Sequence, residues 1–208
     1  MNDSELIQRS DEWVKARLGS LGASSLHEAV ARTKTGWGAS RANRRAALII
    51  ERLTGAPQDT YQNAAMLQGI EMEPEARSAY AFYKDVDVIE VGLIRHPSIA
   101  WTHASPDGLV GEDGMLEIKA PQAAAHLATL LGEPIPEKYL IQMQWQMCCA
   151  GRAWCDFASF NRSFPEHMRL WIKRIQRDDK RIAELEDQVR EFLAEVQVTM
   201  EVLGRLAA

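Results

Sequence analysis

Cysteine is scarce in this chain. Three stand in 208 residues, two adjacent at Cys148 and Cys149 and one at Cys155. That spacing matches neither a zinc-ligand pattern nor a disulfide framework, and it fits a reducing compartment. Long apolar runs are missing as well, so no segment is expected to cross a bilayer. The first residues lack the apolar stretch of a secretion signal, and the expectation is a protein that stays in the cytoplasm. Positive charge is short too: 24 Lys and Arg stand against 29 Asp and Glu, a formal net charge of −5. Composition therefore gives no overall basic footprint of the kind that nucleic-acid binders usually show. What remains is ordinary: 46% hydrophobic residues and enough length for one domain with a full core.

Charge is unevenly placed, however. Residues 32–45 carry Arg32, Lys34, Arg41, Arg44 and Arg45 with no acid between them. Such a stretch can touch phosphates, with Arg41 and Arg44 as the candidates. Gly36-Trp37-Gly38 inside it reads as a loop whose indole can stack on a base, or equally as a solvated loop with a packed tryptophan. Much of the negative charge lies at 178–201. That region reads as one long helix capped by Asp178 or Asp179, with an apolar stripe of Ile182, Leu185, Val189, Phe192, Val196 and Leu203. Packing onto its own domain ranks first for this stripe, with partner contact at the exposed face. Elsewhere the pattern predicts a helix over 69–84 and strands over 85–94, 100–110 and 115–121. A helix over 137–150 ends at Gly151, and strands over 153–160 and 168–175 follow.

The residues that carry chemistry are concentrated between positions 105 and 121. Ser105-Pro106-Asp107-Gly108-Leu109 is followed by Leu116-Glu117-Ile118-Lys119-Ala120-Pro121. Side chains alternate across a strand, so Glu117 and Lys119 share one face while Leu116 and Ile118 share the other. A hairpin through Gly111 and Gly114 brings Asp107 opposite Glu117. The bland alternative is a surface Asp with an exposed Glu–Lys pair. Inside an apolar strand, though, unpaired charge is expensive. Two carboxylates held together repel unless a cation lies between them, and a lysine beside them suits an anion. Metal plus anion points to phosphodiester chemistry.

Other segments add to this set. Arg17 offers a planar fork suited to phosphate. Ser24 or Ser25 is placed to cap a helix through about Val30, leaving amide N–H groups for an anion. Glu71, Glu73 and Glu75 stand at alternate positions, so spacing alone does not choose among them; Pro74 is acceptable there as the first residue of a helix. Tyr139, Gln142 and Gln146 fall on one helical face, although an exposed glutamine-rich face remains open for Gln144 and Gln146.

These residues resemble the signature of the PD-(D/E)XK nuclease superfamily, with Pro106-Asp107 and Glu117-x-Lys119 at its positions. Over most of residues 13–147 the chain also resembles the bacteriophage lambda exonuclease and viral recombinase (alkaline exonuclease) family. Trp13-x-x-x-Arg17-Leu18-Gly19 with Ala23-Ser24 looks like the element whose arginine and serine help bind the 5′-phosphate of a DNA end. Met66 to Arg77 resembles the family's G-x-x-x-E helix, and the Gly69 register selects Glu73. Met66 aligns with an apolar wedge that helps part the strand ends, or is simply core. Ser105 aligns with a residue close to the terminal phosphate. Tyr139-x-x-Gln142 matches a helix facing the active site.

The resemblance implies an α/β (α+β) restriction-endonuclease-like core: a central mixed sheet flanked by helices, with a long C-terminal helix. It implies one domain over 1–208, with an N-terminal phosphate-pocket region at 1–66, a nuclease core at 67–160, and a strand and helix at 161–208. Asp107, Glu117, the Ile118 carbonyl and Glu73 become the ligands of Mg²⁺, with Mn²⁺ able to take its place. Lys119 and Gln142 complete the catalytic set. Arg17, Ser24, Ser105, Tyr139 and Met66 become DNA contacts. The implied activity is a processive 5′-to-3′ exonuclease on double-stranded DNA ends, preferably 5′-phosphorylated. It releases 5′-mononucleotides and leaves a 3′ overhang. The implied partners are two more copies in a ring and a phage-type single-strand annealing protein, in a bacterial cytoplasm. The alternatives are an endonuclease of the same superfamily and a non-catalytic DNA-end scaffold.

Overall fold

The structure, a computed structural model, describes residues 3–34, 36–58 and 64–206, without the side chains of residues 64–66. The Met66 side chain therefore lies outside the described residues. Ser10 starts α1 (Asp11–Arg17) by accepting the Trp13 N–H at 3.2 Å. Next come β1 (Leu21–Gly22), α2 (Leu26–Ala29), β2 (Arg32–Thr33), β3 (Gly36–Trp37) and α3 (Ala39–Thr54). Gly55, at φ 65°, closes α3 in the left-handed conformation that glycine adopts without a steric cost. Helix α4 (Ala64–Lys84) leads to β4 (Val88–Ile89), β5 (Ile94–Arg95), β6 (Thr102–Ala104), β7 (Gly108–Val110) and β8 (Gly114–Lys119). The chain then forms α5 (Ala123–Leu130), α6 (Glu137–Ala150), β9 (Trp154–Phe160), β10 (Leu170–Gln176) and α7 (Asp179–Leu206). Among the described residues, no helix is long and apolar enough to cross a membrane.

The main sheet is mixed, in the order β10-β9-β8-β7-β4, with β8 and β9 parallel and the other pairs antiparallel. Its two faces are covered by different helices, as the alternation along β8 requires. Leu116 and Ile118 pack with Met72, Ala76 and Tyr80 of α4. Met115 packs with Met143 and Met147 of α6 on the other side. The stripe on α7 packs inward: Leu185, Val189, Phe192 and Val196 join Leu26, Leu48 and Trp145. Asp178 caps α7, accepting the Arg181 N–H at 2.9 Å. The result is a central mixed sheet flanked by helices, with a long C-terminal helix, as the sequence predicted.

Four local expectations are corrected. The strands predicted over 85–94 and 100–110 are each broken in two, and the halves lie in different sheets: β6 pairs with β1 on one side and β5 on the other, whereas β4 and β7 belong to the main sheet. One break lies at Gly92 and Leu93, whose amides donate to the Ser4 and Asp3 carbonyls of the N-terminal segment at 2.9 Å each. The other lies at Ser105-Pro106-Asp107, where proline has no N–H for a ladder. Asp107 thus sits where the chain crosses between sheets. Second, α4 begins before residue 69, so Pro74 lies inside the helix and not at its first residue. Third, the helix predicted to reach about Val30 is a 3-10 turn followed by the single turn of α2, and neither serine caps it; Ser25 Oγ donates instead to the Gly22 carbonyl at 3.2 Å. Fourth, Gly36-Trp37-Gly38 is not a free loop: Gly36 and Trp37 form β3, paired with β2, and α3 follows from Ala39. Helix α5 has no counterpart in the sequence reading.

Candidate active site

The register Gly108↔Leu116 in the β7–β8 hairpin sets Asp107 against Glu117, and Asp107 Oδ2 accepts the Ile118 N–H at 2.6 Å. Glu117 is only 1% exposed. Its Oε1 accepts from Gln142 Nε2 at 2.7 Å and from the Lys119 ammonium at 2.5 Å, and its Oε2 accepts from Gln146 Nε2 at 2.7 Å. Gln142 and Gln146 are one helical turn apart on α6, so both reach the same carboxylate. Gln144 points elsewhere: its amide bonds the Gln176 carbonyl and the Asp178 N–H.

Burial and the neighbouring Glu117 carboxylate raise the Asp107 carboxyl well above the usual carboxylate range, with Glu73 adding and Lys119 opposing. Burial by itself would lower the Lys119 ammonium, but the Glu117 and Asp107 carboxylates outweigh it and hold Lys119 above its ordinary value. Lys119 is therefore a fixed cation at neutral pH. The Tyr139 ring lies 5.0 Å from its Nζ.

Packing separates the three glutamates of α4. Glu71 and Glu75 pair with Arg162 at 3.0 and 3.2 Å. Glu73 turns inward, accepting from Arg77 Nη2 at 2.7 Å and from Arg9. Arg77 also donates to the Asp107 carbonyl at 3.0 Å, tying α4 to the Asp107 turn. A cavity of about 570 Å³ is bordered by Glu73, Asp107, Ile118, Lys119 and Tyr139.

The donor set fits a divalent cation. The buried Glu117 and the half-buried Asp107, which repel each other, with the buried Glu73 close by, are hard oxygen donors of the type magnesium takes. Gln146 Oε1 is also buried without a partner among the described residues. It is an acceptor left over at the same site, suited to a water molecule.

Arg17 ends α1 and stacks on Trp13, its guanidinium carbon 3.9 Å from the ring centre. Its Nε donates to His103 Nε2 at 3.1 Å. A guanidinium only donates, so His103 Nε2 is the acceptor, and Nδ1 carries the proton toward Ser20 Oγ at 2.9 Å. Burial first, then Arg17 and Arg95, push the His103 imidazole down to about 3, which keeps it neutral. Burial, with Arg44 adding and Glu51 opposing, pushes Arg17 down to about 10. Trp13 shares its indole N–H between the Gly92 carbonyl and Ser105 Oγ, at 3.2 Å each. A Cβ on Gly22 would lie 3.1 Å from His103 Nε2 and 3.5 Å from Arg17 Nη2, so only glycine leaves this corner open. One cavity of about 190 Å³ joins Arg17, Ser24 and Ser105 to Asp107, Glu117 and Lys119.

His103 yields a pH test. Its folded value lies below the 6.5 of a free imidazole, so the unfolded chain takes up the proton first. Its contribution to stability is complete above about pH 6.5 and is lost as pH falls toward about 3. Wild type is expected to lose about 2 kcal/mol more than His103→Asn between roughly pH 6.5 and 5. Urea midpoints of the two proteins across that range measure the difference.

Arg41 and Trp37 fall outside this group. Arg41 is 3% exposed; its guanidinium stacks on Trp37 at 3.8 Å and donates to Glu195 of α7 at 2.6 Å. It ties α3 to α7 and does not offer its charge to a phosphate. Trp37 is packed under Arg32 and Arg41, not free to meet a base. Arg44 pairs with Glu28 at 2.9 Å and borders a second cavity beside Arg17. Sequence reasoning missed His103, Arg9 and Arg77, and left Gln146 undecided. The Gln142–Gln146 spacing was the available signal for the last; for the others local sequence held none.

His96, Cys148 and Glu186 form a separate grouping whose potential ligand atoms lie within 4.8 Å of one another. His96 Nδ1 accepts the Ser98 and Ile99 amides at 3.2 and 3.1 Å, so the ring proton must sit on Nε2, facing Glu186 at 3.2 Å. Burial, with Glu186, pushes the Cys148 thiol up to about 11. Both protons are already in use, and the grouping reads as a hydrogen-bonded cluster.

Fold and site together define a nuclease core: a mixed sheet that presents an aspartate, a glutamate and a lysine from one hairpin beside a helix-borne glutamate. The chain belongs to the YqaJ-like viral recombinase domain family, whose family model matches residues 12–153. It is 47% identical to LHK-Exo in complex with dAMP, with a TM-score of 0.88, covering 95% of this chain and 98% of that one. The alkaline exonuclease LHK-Exo from Laribacter hongkongensis matches with the same identity and coverage and a TM-score of 0.87. A phage related exonuclease from Haemophilus somnus 129PT shares the fold, at 16% identity and a TM-score of 0.67 over 91% of this chain and 96% of that one. The uncharacterized protein R354 of Acanthamoeba polyphaga mimivirus is 26% identical over 163 residues, or 72% of this chain, and the chain spans 28% of that relative's length.

Proposed function

We propose that residues 1–208 form one exonuclease domain that digests double-stranded DNA from its ends, 5′ to 3′, with Mg²⁺ as cofactor. The observation that carries this reading is the shared cavity, which Arg17 lines together with Asp107, Glu117 and Lys119. A terminal 5′-phosphate on Arg17, with Ser24 and Ser105 close by, positions the first phosphodiester near the acids. Asp107, Glu117, Glu73 and the Ile118 carbonyl would hold the cation, which when bound polarises the phosphate and acidifies a water. Gln142 and Gln146 fix the Glu117 carboxylate in place. Lys119 keeps its proton and sets a positive charge where negative charge develops on the phosphoryl oxygens. The dAMP held by LHK-Exo has the chemistry of the expected product, a 5′-mononucleotide. Processive digestion by a ring of three copies, feeding a 3′ overhang to an annealing protein in a bacterial cytoplasm, extends the same reading.

Linear duplexes with and without a 5′-phosphate, together with closed circular DNA, test it. Wild type is expected to digest the phosphorylated duplex fastest with Mg²⁺ and to spare the circle. Cutting of the circle would favour the endonuclease. Arg17→Ala is expected to lose the preference for the 5′-phosphate, a loss of about 2 kcal/mol in kcat/KM on that substrate. A preference that survives Arg17→Ala would place the phosphate pocket elsewhere.

A further inference from the structure

We propose that Arg9 is a DNA-phosphate contact that rests on Glu73 until a divalent cation enters the site; the proposal builds on the nuclease reading above. Arg9 is a non-glycine residue at φ 71°, a left-handed conformation that needs support from its surroundings. Its neighbours supply that support. Gln8 Nε2 donates to the Val91 and Pro106 carbonyls at 2.8 and 3.0 Å, and Ser10 caps α1. The segment is thereby fastened beside Asp107, with the Arg9 side chain aimed at Glu73. Glu73 does not need it. Arg77 already pairs with Glu73 at 2.7 Å and is 13% exposed, whereas Arg9 is 46% exposed. Arg9 is the partner that can leave.

Charge and position say where it goes. Around the site, Asp107, Glu117 and Glu73 face Lys119, Arg77 and Arg9, and Arg77 is shared with Glu90 at 2.9 Å, so four carboxylates stand against three cations. A divalent cation adds two positive charges and competes for Glu73. The guanidinium it displaces borders both the cavity of about 570 Å³ at the acids and the cavity of about 390 Å³ beside Arg17. A DNA backbone lying across these two cavities would meet the Arg9 guanidinium, whose fork suits a phosphodiester.

The test uses full-length Arg9→Gln, with Arg9→Lys as the second variant should glutamine at this position not fold. Calorimetry of DNA-free protein with Mg²⁺ is expected to show roughly two- to fivefold tighter binding in Arg9→Gln, the release of one partly exposed ion pair. Anisotropy of a labelled 5′-phosphorylated duplex, measured with Mg²⁺ in a Lys119→Met background, is expected to show about tenfold weaker binding. The slope of log affinity against log salt is expected to be shallower by about one. Arg9→Lys is expected to keep that salt slope. Unchanged Mg²⁺ affinity overturns the resting contact, and unchanged duplex affinity and salt slope overturn the phosphate contact. Asp107→Ala is the control for the underlying reading: if it binds Mg²⁺ like wild type, the acid cluster is not the metal site, whatever Arg9 does.

Discussion

Lys119→Met is expected to slow cleavage about a hundred- to a thousandfold while leaving the fold and DNA-end binding in place. Methionine keeps most of the apolar stem of lysine and removes only the ammonium. Glu117 does not become an orphan, because Gln142 and Gln146 still donate to its two oxygens at 2.7 Å each. The repulsion that Lys119 offsets falls on Asp107, which already sits above the ordinary carboxylate range and can take up a proton in the metal-free protein. On the proposed mechanism, what the variant lacks is a positive charge fixed where charge develops on the phosphoryl group. Loss of one such preorganised donor costs about a hundred- to a thousandfold in kcat. Digestion of a 5′-labelled linear duplex measures the loss, and anisotropy with the same duplex measures retained binding. Cleavage at the wild-type rate would remove Lys119 from the site.

The acid–lysine set was legible because its geometry is local. Strand periodicity puts Glu117 and Lys119 on one face, and a hairpin of known turn residues puts Asp107 opposite Glu117. The breaks in the flanking strands were not legible. They depend on the N-terminal segment, whose Ser4 and Asp3 carbonyls take the amides at Gly92 and Leu93, about ninety residues away in sequence. Glu73 could be separated from Glu71 and Glu75 by family register alone; in the structure the separation comes from Arg162, in the connection between β9 and β10, which claims the other two. Arg41 was misplaced for the same reason. An arginine in a basic run is ordinarily exposed, and its burial here is made tolerable by the Ala29 carbonyl, the Trp37 ring and Glu195, the last 154 residues on. His103 is a strand residue like many others until Arg17 arrives from another element to use its ring nitrogen.

Asp107→Asn carries a less obvious expectation: the variant is more stable than wild type in the absence of metal, and inactive. Asparagine preserves the shape of the side chain and an oxygen for the Ile118 N–H, now 2.6 Å from Asp107 Oδ2. It removes a charge that is half-buried, faces Glu117 and is further opposed by Glu73. Sites built for a cation keep such repulsion at the expense of stability, and relieving it is expected to add about 0.5–2 kcal/mol. The sign of the pH dependence follows. A carboxyl whose folded value is raised favours the folded state at low pH, and that advantage is lost as pH rises from the ordinary carboxylate value through the folded one. The gap between Asp107→Asn and wild type therefore widens with rising pH and closes in acid. On the magnesium site proposed above, the metal is expected to reverse the order. At about ten times its dissociation constant it stabilises wild type by about 1.4 kcal/mol, whereas the variant, short of a ligand, gains little. Urea midpoints with and without Mg²⁺ read both effects. A variant less stable than wild type without metal at neutral pH would mean that Asp107 is held by favourable contacts and not by the need to bind a cation.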